Sequence, residues 1–392
     1  MALGIVLGIN HTVTDPKDCE LILSSYSGSI KKDQTMTFTV TTPSNGRLFV
    51  FSSDTNIAEA SITDKTVKIA GINNGQAIIT VSQEAETNYN APENKTFLCV
   101  VETTVTPGTT LDTTGWNDII TASEEGIGDS YWDVGDTKSI TLNGTIGTLT
   151  LSNFACKVFI LHFNYPMNGI ANNNIIWGGF KDSNGKDIAL VDSNYDKTSN
   201  NGTMCFNMNH WGNSNRGGWK GCDFRYDILG ATSTQPSEYG TIHTTACIGY
   251  DATSATFTNP KANTLLAALP ADFRNSLRLW SRWIDAVGNS SNVNANIKRT
   301  VDAVSLLAEF EVHGTRFYAN KYEKNYQSQM EYYRLGNSKI KYRHDNSSSA
   351  AWWWLASPSY DGNSSSRSIN TNGEDKYHSS SGSGCVAPAF KT

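Results

Sequence analysis

The sequence predicts a strand-rich protein in two parts, an all-β sandwich followed by a larger α+β domain. Three observations carry that prediction. Residues 13–104 contain short alternating segments at regular spacing, with turn signals between them. The Thr-rich stretch Thr103–Thr110, which includes Pro107-Gly108, then breaks the pattern. Beyond it come strongly apolar strand-like runs together with one stretch of helical spacing, Asn263–Trp283. At 392 residues the chain has room for two domains with ample core. The expected division is an N-terminal tail (1–12), a sandwich (13–104) and a second domain (105–392).

Composition narrows the class. A net charge of −6 leaves no basic footprint for nucleic acid. Charged residues make up only 17% and aromatics 10%, with Gly, Asn, Ser and Thr abundant. That mixture suits an extracellular or virion protein better than a helical cytosolic enzyme. The seven cysteines show no CxxC pair and no zinc spacing, so they are read as reduced core residues, with no metal and no cofactor expected. The opening MALGIVLGIN lacks a basic n-region and is too short for a signal peptide or a membrane span, so no membrane insertion is expected.

In the first part, strands are expected at Cys19–Ser24, Thr35–Thr41, Arg47–Ser52, Thr66–Ile69, Gln76–Gln83 and Thr96–Thr103. Turns fall at Pro43–Gly46 and Asn73–Gly75. The runs Phe51–Ala58 and Gly71–Val81 resemble bacterial Ig-like group 2 domains, which implies a spacer.

In the second part, Gly115–Ala122 reads as a short helix, while Thr137–Leu142 and Gly147–Leu151 read as strands. Lys157–Asn164 reads as a central strand with His162 a satisfied core histidine. A helix is expected after Gly217-Gly218. In it Asp223 and Arg225 lie on different faces and serve capping or structural ion pairing. Asn263–Trp283 reads as two amphipathic helices, the second opened by Pro270. Val301–Leu307 reads as a buried strand. If the following segment is extended, Glu309, Glu311 and His313 share one face, read as solvated rather than as a cation site.

The last forty residues are the most informative. Trp352-Trp353-Trp354-Leu355-Ala356-Ser357-Pro358 opens them and Gly384-Cys385-Val386-Ala387-Pro388-Ala389-Phe390 closes them. Between these clamps, Ser359–Gly384 holds nine serines, four glycines and three asparagines, with Ile369 its only aliphatic residue. Alone, such a run cannot bury enough apolar surface to order itself. Pinned at both ends, it becomes a loop display on a rigid scaffold. Trp352, Trp353, Trp354, Val386, Pro388 and Phe390 are the expected scaffold beneath it.

This pattern resembles the variable region of diversity-generating retroelement target proteins. The resemblance implies a C-type lectin-like fold of the formylglycine-generating-enzyme type, with a variable region at about 343–390. Their diversification rewrites adenines, so template Asn codons become many residues but never Trp, Met, Lys, Gln or Glu. Ser359–Ser368 and Tyr377–Gly384 contain only reachable residues, whereas Glu374 and Lys376 are framework. The block Gly217–Phe390 also resembles a domain of gut bacterial prophages, through GGWKGCDFRYDIL, LPADFR, LLAEFEVHG, QSQMEYYRLGNSKIKY, WWWLASP and GCVAPAF. Its departures, Ala308, His313, Ala356 and Ala387, touch local polar contacts.

The resemblance implies a non-catalytic binding protein of a phage tail or a bacterial cell surface, with a protein or glycan on a cell as ligand. It allows a homo-oligomer, a trimer for a tail tip. Tyr with Ser, Gly and Asn is also the mixture of antibody paratopes. Tyr360, Asp361, Arg367, Asp375, Tyr377 and His378 are the expected anchors. Ser359, Asn363, Ser364, Ser365, Ser366, Ser368, Ser379, Ser380, Ser381 and Ser383 surround them, and Ser347, Ser348 and Ser349 join from the preceding loop. The sequence lacks a Gly-x-Ser-x-Gly elbow, His-Glu-x-x-His, a phosphate loop and a dinucleotide fingerprint. A formylglycine-generating-like enzyme is disfavoured because no second cysteine lies near Cys385 in sequence. A static carbohydrate-binding module is the alternative, although the Glu-Pro-Asn and Gln-Pro-Asp calcium motifs are absent.

Overall fold

The computed structural model describes residues 15–102, 105, 108–192, 206–209, 213–235 and 251–392. The expected tail, 1–12, lies outside the described residues, as do Cys205 and Cys247. The chain forms two compact units, Met1–Thr104 and Val105–Thr392.

In the first unit, alternation of apolar and polar residues makes two four-stranded sheets that face each other. One has the order Ile22–Leu23, Thr35–Thr41, Thr66–Gly71, Ala58–Thr63, and the other Ser27–Lys31, Lys95–Glu102, Gly75–Gln83, Leu48–Ser52. Phe38 of the first sheet stacks on Phe97 of the second with centroids 4.6 Å apart, and both are buried. Leu21, Val40, Val67, Ile69, Ile79, Val81 and Val101 fill the space between the sheets. This is an all-β sandwich. Two of its strands were not expected, Ser27–Lys31 and Ala58–Thr63. Both are edge strands, and Ser27–Lys31 buries only Ile30, so neither carries a strong apolar alternation.

The second unit is built on a five-stranded antiparallel sheet in the order Ser305–Leu306, Pro388–Lys391, Ile175–Lys181, Leu149–Phe163, Thr137–Ile146. Both faces are apolar. Val158, Ile160, Trp177 and Phe390 pack into one core cluster, and Phe159, Leu161, Ile176 and Ala389 into another. The C-terminal strand lies inside this sheet, which fixes one end of the serine-rich tract. The helix Trp116–Glu124 covers one face, with Trp116 against Trp177 and Phe273. Ser123 Oγ donates to Thr392 O at 2.6 Å and accepts from Ile175 N at 3.0 Å.

Several expected elements differ. Helix is scarce and short among the described residues. Gly217–Leu229 forms two turns, Gly218–Gly221 and Asp223–Asp227, separated by extended Cys222. Arg225 makes a structural ion pair, as expected: its Nε meets Asp302, which also accepts from Trp219 Nε1 at 2.8 Å. Within 263–283 only Leu265–Ala268 and Ala271–Ser276 are helical, the second capped by Pro270. Trp280 belongs to a strand, Trp280–Asp285, because Trp280, Arg282 and Ile284 are buried at a period of two. The expected strand Val301–Leu307 is two strands, Ile297–Asp302 and Ser305–Leu306, in different sheets.

Glu309–His313 is a helix, not an extended face. Glu309 and Glu311 are fully buried rather than solvated, each opposite an arginine, Arg367 and Arg282 respectively. His162 is half-buried and its Nδ1 accepts from Glu331 N at 2.9 Å. Cys19, Cys99, Cys156 and Cys222 are free thiols. No helix of the described residues is long and apolar enough to cross a membrane.

Candidate functional site: the serine-rich surface

The tract is ordered as part of a small antiparallel sheet, Trp353–Pro358, Ser365–Ile369 and Asp375–Ser379. The first strand is entirely buried. Trp353 and Trp354 lie in the core, and Trp354 Nε1 donates to Phe206 O at 2.8 Å. Trp352 is half-buried and stacks on His378, with centroids 3.7 Å apart and planes within 11°. Gly384 passes so close to both indoles that a methyl group there would collide with Trp352 and Trp354. Val386, Pro388 and Phe390 are buried, and Phe390 packs on Phe273.

The main chain of the tract is held by residues outside it. Asn215 Nδ2 lies 2.9 Å from Ser359 O, 2.8 Å from Gly362 O and 2.7 Å from Ser365 O. Asn215 N donates to Asn363 O at 2.9 Å. Asn209 N donates to Ser380 O, and Ser380 N to Ser364 O. Asn207 Nδ2 donates to Ser381 O at 2.6 Å and lies 3.2 Å from Gly382 O. Phe206 pairs with Gly384 through both main-chain groups. Asn207, Asn209 and Asn215 were not singled out from sequence. The signal was there: 207–215 carries four asparagines just before the apolar GGW run, and the side-chain amide suits such cross-linking of main chains.

The structure sorts the expected binding residues into three groups. Ser347, Ser348, Asp361, Asn363 and Tyr377 are exposed. Ser349, Tyr360, Ser364, Ser365, Asp375, His378, Ser379 and Ser383 are half-buried. Ser359, Ser366, Arg367, Ser368, Ser380 and Ser381 are buried. Ser347–Ser349 lie on the turn between Lys341–Arg343 and Ala350–Ala351, a different sheet from the tract.

Three of the six expected anchors are therefore corrected. Arg367 is fully buried, with Nε 2.8 Å from Glu309 Oε2, Nη1 3.1 Å from Ser359 Oγ, and Nη2 against Asp375. The Asp375 side chain is only 6% exposed and turns inward. His378 is engaged by Trp352 and by Ser368 Oγ at 2.9 Å. Tyr360, Asp361 and Tyr377 remain available at the surface.

Under this surface lies a buried acidic group. Glu309 accepts from the amides of Phe317, Tyr318 and Ala319 at 2.7 to 3.1 Å. Ser357 Oγ donates to Glu323 Oε2 at 2.6 Å, and Asp285 N donates to Glu323 Oε1 at 3.0 Å. Burial pushes the Glu323 carboxyl up to about 8. Burial and the neighbouring Glu309 carboxylate push Asp375 up to about 7, against the pull of Arg367. Burial, with Lys376 and Arg367 nearby, lowers His378 to about 4. Among the described residues no group of three or more His, Cys, Asp or Glu side chains is arranged to hold a metal ion.

Residues 257–391 match the profile of a family described as "Domain of unknown function (DUF6273)". The match covers about a third of the chain and includes the whole tract. No curated protein matches the chain. Among solved structures, the PKD domain of human KIAA0319 in solution is similar at 10% identity, over 27% of this chain and 98% of that one. Its TM-score of 0.18 carries no argument about fold or function.

Proposed function

We propose that the second unit is a non-catalytic binding module whose serine-rich surface is a display that tolerates change, as in the retroelement-diversified proteins it resembles. In that reading the unit is C-type lectin-like, and the chain is a phage tail or bacterial surface adhesin that recognises a protein or glycan on a host cell. One observation carries the reading. The tract is ordered through its main chain, by Asn207, Asn209, Asn215 and strand pairing, so exposed side chains can change while the loop keeps its path. A loop ordered by its own side chains would lose its path with each substitution.

The test has two parts. Flanking DNA is searched for a near-copy of the segment encoding Trp352–Phe390 beside a reverse transcriptase gene, with differences confined to adenines. Binding of the chain to host cells is then compared before and after the tract is swapped between variants. A missing copy removes the retroelement reading. A swap that leaves host range unchanged removes the binding role of the tract.

A further inference from the structure

The surface continues beyond the tract onto the turn Phe317–Ala319. Glu309 gathers the three amides of that turn and is paired with Arg367, so turn and tract share one buried latch. Tyr360 N donates to Tyr318 O at 2.9 Å, and the two rings stack with centroids 6.1 Å apart and planes within 19°. The Arg367 guanidinium lies 5.0 Å from the Tyr318 ring centre and 6.0 Å from that of Tyr377. Phe317, Tyr318 and Tyr377 nevertheless stay 42%, 44% and 51% exposed. Tyr318, Tyr360 and Tyr377 are linked through this stack and through Arg367, so a ligand meets little conformational entropy in ordering them.

We propose that Tyr318 and Tyr377, together with Tyr360, form an aromatic platform that receives the pyranose rings of a neutral glycan. This rests on the reading of the tract as a binding surface. The only aliphatic side chain of the tract, Ile369, is fully buried, so the apolar groups presented there are aromatic. Beside them stand Asp361, Asn363 and Ser364, which offer carboxylate, amide and hydroxyl. A pyranose has an apolar C–H face rimmed by hydroxyls and matches both halves of that surface. A protein partner needs a broader packed apolar core than these rings supply. Arg367 is committed to Glu309 and Asp375, and Arg316 lies over Tyr360 with Nε donating to Ala319 O. The exposed Asp361 carboxylate, next to Tyr360 in the chain, offsets the Arg316 charge, so the platform has no net positive charge to favour an anionic ligand.

The full chain is titrated by saturation-transfer NMR with a panel of neutral oligosaccharides ending in glucose, galactose, N-acetylglucosamine or fucose. Tyr318→Ala and Tyr377→Ala are compared after a thermal melt shows each folded. The expected result is transfer to ring C–H protons of at least one glycan, with affinity about tenfold or more weaker in each variant. Absence of transfer across the panel, or binding unchanged in both variants, overturns the platform. Cell binding that follows the tract but resists competing glycan also overturns it, and leaves the tract reading standing. Glycan binding undiminished by Asn363→Ala with Ser364→Ala overturns the match of the sugar hydroxyls to the polar half of this surface.

Discussion

Replacing Asn215 by Ala tests whether an outside amide holds the tract in place. Asn215 is 2% exposed, and its two Nδ2 hydrogens serve the carbonyls of Ser359, Gly362 and Ser365, while Oδ1 accepts from Asn289 N at 2.9 Å. Each lost bond is worth roughly 1 kcal/mol net, and the partly exposed carbonyls regain water. The loss is then about 2–3 kcal/mol, felt first as local opening of the loop rather than global unfolding. At roughly 1.4 kcal/mol per tenfold, amides of the loop should exchange about 30- to 150-fold faster. Hydrogen exchange at Ser359 N, which donates to Ser365 O, reads this directly. The strand Leu149–Phe163 should be unaffected and serves as the internal reference. Exchange at Ser359 within about threefold of wild type, against that expectation, would refute the pinning argument.

Other consequences follow from the buried groups. Arg367→Ser leaves Glu309 and Asp375 buried without their cation and should destabilise by about 3–5 kcal/mol, with part recovered by adding Glu309→Gln, as read by denaturant melts. The raised carboxyls of Asp375 and Glu323 bind protons more tightly folded than unfolded. Their contribution is full below the unfolded values near 4 and is lost as pH rises through about 7 and then about 8. Thermal stability from this source should fall between pH 5 and 9, a trend that Glu323→Gln flattens; a midpoint that rises over that range contradicts it. Gly384→Ala drives a methyl group into the Trp352 and Trp354 indoles and should lower stability by about 1–3 kcal/mol and disturb tryptophan fluorescence.

The sandwich was legible because Thr35–Thr41 and Gly75–Gln83 alternate with a period of two. Its edge strands were not, since Ser27–Lys31 needs only Ile30 in the core. Trp280 misled because leucines at helical spacing run up to it. The chain turns extended after Ser276, and Trp280, Arg282 and Ile284 then face inward as a strand. The tract's composition suggested a run unable to order itself. What orders it is a set of amides as far as 175 residues away in sequence, and contacts of that kind leave no periodicity to read. The latch was hidden for a related reason. Glu309 and Arg367 look like solvated residues until folding places them 2.8 Å apart in the core.

The most direct test compares two libraries under one folding assay. The first randomises the accessible positions Tyr360, Asp361, Asn363, Ser364, Tyr377, Ser379 and Ser383. The second randomises the buried ones, Ser359, Ser366, Arg367, Ser368, Ser380 and Ser381. Protease resistance on a display surface reports the folded fraction of each. Most members of the first library should stay folded and most of the second should not. Equal loss in both libraries would mean that the accessible side chains also hold the tract in place, and the display reading would fail.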